Sequence, residues 1–407
     1  MMTNNISALR GNITKLYVLQ VLRYFMVIMP VIVLFFQSVG LTMRDIMVIQ
    51  AVFSFVSVVF EIPSGYFSDV LGRRMTLIIG VALGAAGFGL YVLATGFWSI
   101  LAAECVLGLG MSFVSGTDSA MMFDTLAGLG EAERSMQSEG RLISFGNFSE
   151  GLAGITGGLL AALSLRFPLY AQFIVMLIAV PVAWSLKEPA RALTAEHADS
   201  TIGTLRGIWD VSKWALTKNP RLRWLLLYSG VIGAGTLTMV WFIQPYMQRC
   251  GLPVEYFGFA WTALNLSVGT VAMNAHRTES ALGERNVVVV LLGVLVLGFC
   301  LTGTFAALWS LPFVLCFYVV RGLNNPIFNT YINRIVPGDR RATVLSVRQL
   351  TTRLVFSVFG PVAGWIADET SQQVALYVSG AVFAAAGLFM LFVRPHEQGE
   401  TGEVRSL

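Results

Sequence analysis

Charge is what this sequence has least of. Only 12% of its 407 residues are Asp, Glu, Lys or Arg, against about 25% in a soluble domain. With 56% hydrophobic residues, a water-soluble fold would have to hide a very large apolar excess, and that class is excluded. Cysteine is sparse as well. Cys105, Cys250, Cys300 and Cys316 show no Cys-x-x-Cys spacing and three lie inside apolar runs, which argues against a disulfide framework and a metal site alike. The histidines, His197, His276 and His396, are scattered through hydrophilic segments and form no cluster. A phosphate-cradling loop ending in Gly-Lys-Ser/Thr is missing, as is any nucleophile–base pair at a recognisable spacing. An enzyme and an ATP-driven pump are both unsupported, and no cofactor or metal is expected. The net charge of +4 is modest, and no nucleic-acid partner is expected.

What is present is a succession of apolar runs. A bilayer-spanning helix needs about 20 apolar residues. Runs of that kind fall near 15–37, 45–67, 75–95, 98–123, 142–164 and 168–186, then near 223–248, 255–275, 287–304, 308–333, 343–366 and 372–393. The reading is an all-α membrane protein with 12 transmembrane helices in two six-helix bundles, 1–186 and 222–407. The first run, Leu16 to Phe36, contains Arg23 and no small-residue cleavage site, so it is expected to be a permanent span rather than a signal peptide. The 40 glycines have no Gly-X-Y period and suit close helix packing in lipid.

Cations orient the chain. With both termini on one side, the loops of that side carry Arg73, Arg74, Arg134, Lys187, Arg191, Arg285, Arg334 and Arg340, among others. The opposite loops carry only Arg44, Arg166 and Arg249. Because Lys and Arg stay cytoplasmic, both termini are expected inside, in an inner membrane. Between the bundles, 187–221 reads as a cytoplasmic linker. It holds an amphipathic stretch, Gly203 to Trp214, expected to lie at the membrane interface or to remain a solvated connector.

The two bundles repeat in sequence. Gly40-Leu41 recurs as Gly251-Leu252, and Leu71-Gly72-Arg73-Arg74 as Leu282-Gly283-Glu284-Arg285, both at an offset of 211 residues. At an offset of 207, Arg134 and Arg141 fall on Arg341 and Arg348. Repeats related by an axis along the membrane normal are a transporter architecture, with the substrate site between them near the midplane.

The stretch Gly65-Tyr66-Phe67-Ser68-Asp69-Val70-Leu71-Gly72-Arg73-Arg74 resembles the signature loop of the major facilitator superfamily between its second and third helices. Glu61-Ile62-Pro63-Ser64-Gly65 and Phe123-Asp124-Thr125-Leu126 resemble bacterial drug:proton antiporters of that superfamily. The resemblance implies a twelve-helix secondary transporter working by alternating access. It also implies a conformational latch made of Gly65, Asp69, Gly72, Arg73, Arg74 and Asp124. Two features depart from the antiporter pattern: Glu104 stands where the fourth helix usually carries arginine, and Gly154 where the fifth usually carries proline.

Ionisable groups inside a span cost about 2.5–3.5 kcal/mol at its centre, so they tend to face a cavity or a partner. Arg23, Glu104, Asp118, Glu150, Arg321 and Asn325 are the candidates for substrate and proton binding. For Arg23 the alternatives are an anion contact, a counter-ion for a titrating acid and a structural pair with an acid. For Glu104 and Glu150 they are a group that gains and loses a proton and a fixed salt bridge. Asp118 reads as cavity wall or as packing, and the polar face carrying Asn325 and Asn329 as substrate site or as interhelical glue. The expected function is proton-coupled export of small amphipathic or toxic compounds by a monomer whose partners are substrate, protons and the bilayer. Uptake or exchange of a small organic anion is the alternative, and a membrane sensor that moves nothing the third reading.

Overall fold

The computed structural model describes residues 2–189, 205–217, 219–337 and 340–395. Every regular element among them is helical. The first half comprises α1 (Met2–Tyr24), α2 (Ile32–Ser38), α3 (Met43–Leu71), α4 (Arg73–Leu93), α5 (Phe97–Val114), α6 (Thr117–Gly128), α7 (Ser135–Leu163) and α8 (Phe167–Trp184). Helix α9 (Leu205–Thr217) follows. The second half comprises α10 (Pro220–Arg249), α11 (Phe257–Met273), α12 (Ala275–Thr304), α13 (Leu315–Ile335), α14 (Arg341–Glu369) and α15 (Gln372–Phe392). Pairing α1 with α2 and α5 with α6 as interrupted spans gives six crossings in each half.

Ten of these crossings are long and apolar enough to span a membrane. The two that fall short are α7, which carries Glu139, Arg141 and Glu150, and α11, which is 17 residues long. Charge and length explain both.

The repeat seen in the sequence recurs in the backbone. Gly40 and Gly251 have φ of 89° and 79°, and Gly72 and Gly283 have φ of 95° and 73°. Both pairs stand 211 residues apart, at the same turn of each half. Positive φ is open to glycine and costly for other residues. Gly72→Ala should therefore lower thermal stability in detergent by about 1–2 kcal/mol. Its added Cβ would also sit 2.8 Å from Glu188 Oε1.

Three spans differ from their sequence expectation. The first is broken: α1 ends at Tyr24, a single 3-10 turn spans Met29–Val31, and α2 begins at Ile32. Pro30 lacks an N–H and its ring displaces the carbonyl four residues back, which interrupts the ladder. The freed groups find partners on other helices. Val27 N–H donates to Gln172 Oε1 at 2.7 Å, and Val33 N–H to Gln244 Oε1 at 2.8 Å. Gln244 Nε2 donates in turn to the Met29 carbonyl at 2.8 Å. The fourth span splits between α5 and α6 at Gly116, whose φ is 75°. The signature stretch is mostly helix and not loop, because α3 continues to Leu71 and Gly72 alone makes the reversal.

Helix α9 coincides with the amphipathic stretch expected in the linker. It packs on α10 and α14, and its residues Val211 and Ala215 are buried. The Arg340 guanidinium lies 5.3 Å from the Trp214 ring centroid, within cation–π range.

The halves meet along two helix pairs, α3 with α14 and α7 with α11. At the end away from the chain termini these contacts reach backbone distance. Gly158 and Gly258 leave no room for a Cβ between α7 and α11, and Gly364 none against Met43 and Arg44. Asp368, at the end of α14, accepts from Met43 N–H at 2.9 Å and Arg44 N–H at 2.7 Å. The far end is sealed.

Candidate functional site

A cavity of about 370 Å³ lies inside this seal, within the first half. Its walls come from the broken first span, α3, α4, α5, α7 and α8, with Trp241 of α10 from the other half. Met26, Met29, Met111, Met176, Phe53, Phe88 and Leu107 make it largely apolar. Methionine is flexible and polarisable, which lets such a wall adapt to different ligand shapes. Its polar groups are few: Arg23, Tyr24, Gln50, Tyr91, Glu104, Glu150 and the Trp241 indole.

Glu104 is 4% exposed. Gln50 donates its side-chain amide to Glu104 Oε1. The Tyr91 phenol, whose oxygen makes no hydrogen bond, lies beside the same carboxyl. Among the described residues no cation forms an ion pair with it, so the salt-bridge alternative weighed for this residue does not occur. Glu150 also lines the cavity. The Trp261 indole N–H of α11, which makes no hydrogen bond, lies beside it, and Arg321 of α13 contributes an attractive charge. Glu150 thus faces the second half, whereas Glu104 is enclosed by the first.

Arg23 forms an ion pair with Asp118, Nη1 to Oδ2 at 2.8 Å, both side chains about one-fifth exposed. Asn325 is not a cavity residue. It accepts at 2.9 Å from Arg348, which also donates to Ser229 Oγ at 3.2 Å, Asn329 Oδ1 at 2.6 Å and the Asn324 carbonyl at 3.2 Å. The polar face of α13 is tied to α14 by one buried arginine. Arg348 itself is 4% exposed.

At the signature stretch Arg73 Nε pairs with Asp124 Oδ2 at 3.4 Å, and Arg73 Nη1 donates to Ser68 Oγ at 2.8 Å. The side chain of Asp69 lies outside the described residues, while Gly65 is helical with open space at its Cβ position. Glu188 adds a partner: its carboxylate accepts from the Arg73 and Arg74 backbone N–H groups, each at 2.8 Å. That carboxylate caps the positive end of α4. The second half uses the opposite charges. Glu284, which corresponds to Arg73, pairs with Arg221 at 2.9 Å and with Arg394 at 3.1 Å. Nearby, outside the membrane-crossing segments, hydrogen bonding to Arg134 and the charge of Arg10 hold the Glu131 carboxyl below its usual range.

Gln50, Tyr91, Gln172, Gln244, Glu188 and Asp368 were not anticipated from sequence. Neutral amides and phenols in a span carry no charge to draw notice. The offset of 211 does offer a signal for Gln244, because it places that residue opposite Val33, whose N–H it accepts. Glu188 and Asp368 stand at span ends, where an acid ordinarily reads as solvated.

Comparison with known proteins bears on the whole chain. It is 23% identical over 386 residues to the uncharacterized MFS-type transporter YxaM of Bacillus subtilis (strain 168), covering 90% of this chain and 91% of that one. It is 23% identical over 344 residues to the inner membrane transport protein YajR of Escherichia coli (strain K12), covering 83% and 72% respectively. In fold it is similar to the nucleoside transporter NupG, with a TM-score of 0.79 at 15% identity over 95% of this chain and 99% of that one. The model of the Major Facilitator Superfamily matches residues 16–360 and 280–406. This multi-pass membrane protein, a transporter by family and not an enzyme, belongs to the major facilitator superfamily.

Proposed function

We propose that the protein is a proton-coupled exporter of small amphipathic compounds, with units at 1–186 and 222–407 joined by a cytoplasmic linker at 187–221. It works as a monomer in the inner membrane with both termini inside. The cavity is then open toward the cytoplasm and sealed on the other side. Glu104 and Glu150 carry the protons, and Arg73 with Asp124 forms part of a conformational latch in the first half. The observation that carries this reading is Glu104: a buried carboxyl with no counter-ion among the described residues, in the wall of an apolar, methionine-rich cavity. A group so placed changes its charge state more cheaply than it carries a permanent charge in the membrane. The organic-anion alternative is less favoured, because Arg23 is already engaged by Asp118.

Growth of a deletion strain with and without the protein, across a panel of toxic amphipathic compounds, tests the reading. Tolerance of at least one compound should rise with wild-type protein, and dye efflux should stop on addition of a protonophore. Tolerance unchanged across the panel, with folded protein in the membrane, would overturn export.

A further inference from the structure

The Glu104 carboxyl is met by neutral groups from two other helices. Gln50 of α3 donates to it, and the Tyr91 hydroxyl of α4 lies beside it. Gln50 is 5% exposed and Tyr91 1%. The Tyr91 oxygen has no hydrogen-bond partner in this state, although a buried phenol ordinarily finds one. All three residues line the cavity.

Glycines fix this meeting point. A Cβ on Gly87 would lie 2.6 Å from Leu107 Cγ, which brings α4 against α5 one turn before Tyr91. A Cβ on Gly108, one turn after Glu104, would lie 3.2 Å from the Phe53 carbonyl of α3. Three helices are thus held within side-chain reach of one carboxyl. The titratable and charged groups that face it are Tyr91 from α4 and Cys105 on α5 itself. Helix α3 presents the uncharged Gln50. Across the cavity stand Glu150 and Arg23, the latter bound to Asp118.

We propose that Gln50 and Tyr91 are positioning residues for the proton carried by Glu104, an inference that rests on the reading of Glu104 as a proton carrier. In the carboxylate form Gln50 N–H and Tyr91 O–H both donate to Glu104. When a proton arrives from the cavity the carboxylic O–H donates to the Tyr91 oxygen, whose own hydrogen turns away. The phenol serves because a hydroxyl can donate or accept, whereas an arginine or lysine could only donate. The set holds the acid in one orientation in both charge states, and it does so without a cation that would fix the acid as a carboxylate.

Infrared titration of the full-length protein in liposomes, with the proton as the only ligand, tests this by following the carboxylic C=O stretch of the protonated acid. Glu104→Gln should remove one such band, and Glu150→Gln should leave that band in place. Tyr91→Phe and Gln50→Leu should each move its midpoint to higher pH by about one unit, since each removes one donor to the carboxylate. A midpoint unmoved in both variants, with the band still lost in Glu104→Gln, would overturn the positioning role and leave the proton reading intact. A band set unchanged by Glu104→Gln would overturn the proton reading itself. Tyr91→Phe removes only an oxygen, and Gln50→Leu gives an independent answer should one variant fail to fold.

Discussion

Combining Asp368→Ala with Gln244→Leu is expected to open the far end of the molecule. Asp368 is on the second half, yet its carboxylate satisfies two N–H groups at the start of α3. Gln244, also on the second half, fills the break in the first span with one donor and one acceptor bond. All four bonds therefore run from second-half side chains to first-half backbone. A carboxylate at a helix N-terminus contributes about 0.3–1 kcal/mol, up to about 2 when partly buried. Neutral hydrogen bonds add about 0.5–1.5 kcal/mol each. Losing the set removes about 3 kcal/mol from the closed state, a shift of about 100-fold in the conformational equilibrium. Spin labels at Leu163 and Leu308, exposed on opposite halves near this end, should report a new longer-distance population in the double variant. An unchanged distance distribution would contradict the assignment. Gly364→Val should act in the same direction by sterics, since a Cβ there would lie 2.6 Å from the Met43 carbonyl.

Glu104→Gln is expected to abolish uphill transport while sparing the fold. The amide has nearly the shape of the carboxyl and no charge, so the variant loses the proton and none of the packing. Leaving a buried charge unpaired is costly. Removing that charge is therefore neutral or stabilising for the protein, and thermal unfolding in detergent should be unchanged or slightly higher. Proton-driven flux should fall to background, because a side chain that cannot titrate cannot couple. Downhill exchange of labelled compound, which needs only alternating access, should persist. The division matters: a structural role for Glu104 would depress stability and exchange together.

How much of this was legible beforehand depends on the kind of feature. The spans and the repeat at 211 residues follow from apolar length and from glycine, both local properties of sequence, whereas the narrowing of the signature loop to a turn at Gly72 alone required the structure. A structural pair with an acid was one of the readings for Arg23, because a charge in a span demands a partner, but that the acid is Asp118 required the fold. What sequence could not place was the partner that carries no charge. Glu104 could have met an arginine or nothing; that it meets Gln50 and Tyr91 depends on the packing of three helices set by Gly87 and Gly108. The break at Pro30 was legible in principle, since proline interrupts a helix, but its rescue by Gln172 and Gln244 required the fold. Asn325 was undecided until Arg348 was seen to claim it.

The central claim is that protons and compound move through one machine, coupled at Glu104. Its most direct test is the lumenal pH of liposomes carrying purified protein, read with a trapped pH indicator while a compound identified in the tolerance panel is added. Wild-type protein should change lumenal pH on each addition, and Glu104→Gln should not, though both bind and exchange the compound. Wild-type protein that carries the compound with no change in pH, or Glu104→Gln that couples as well as wild type, would contradict the account.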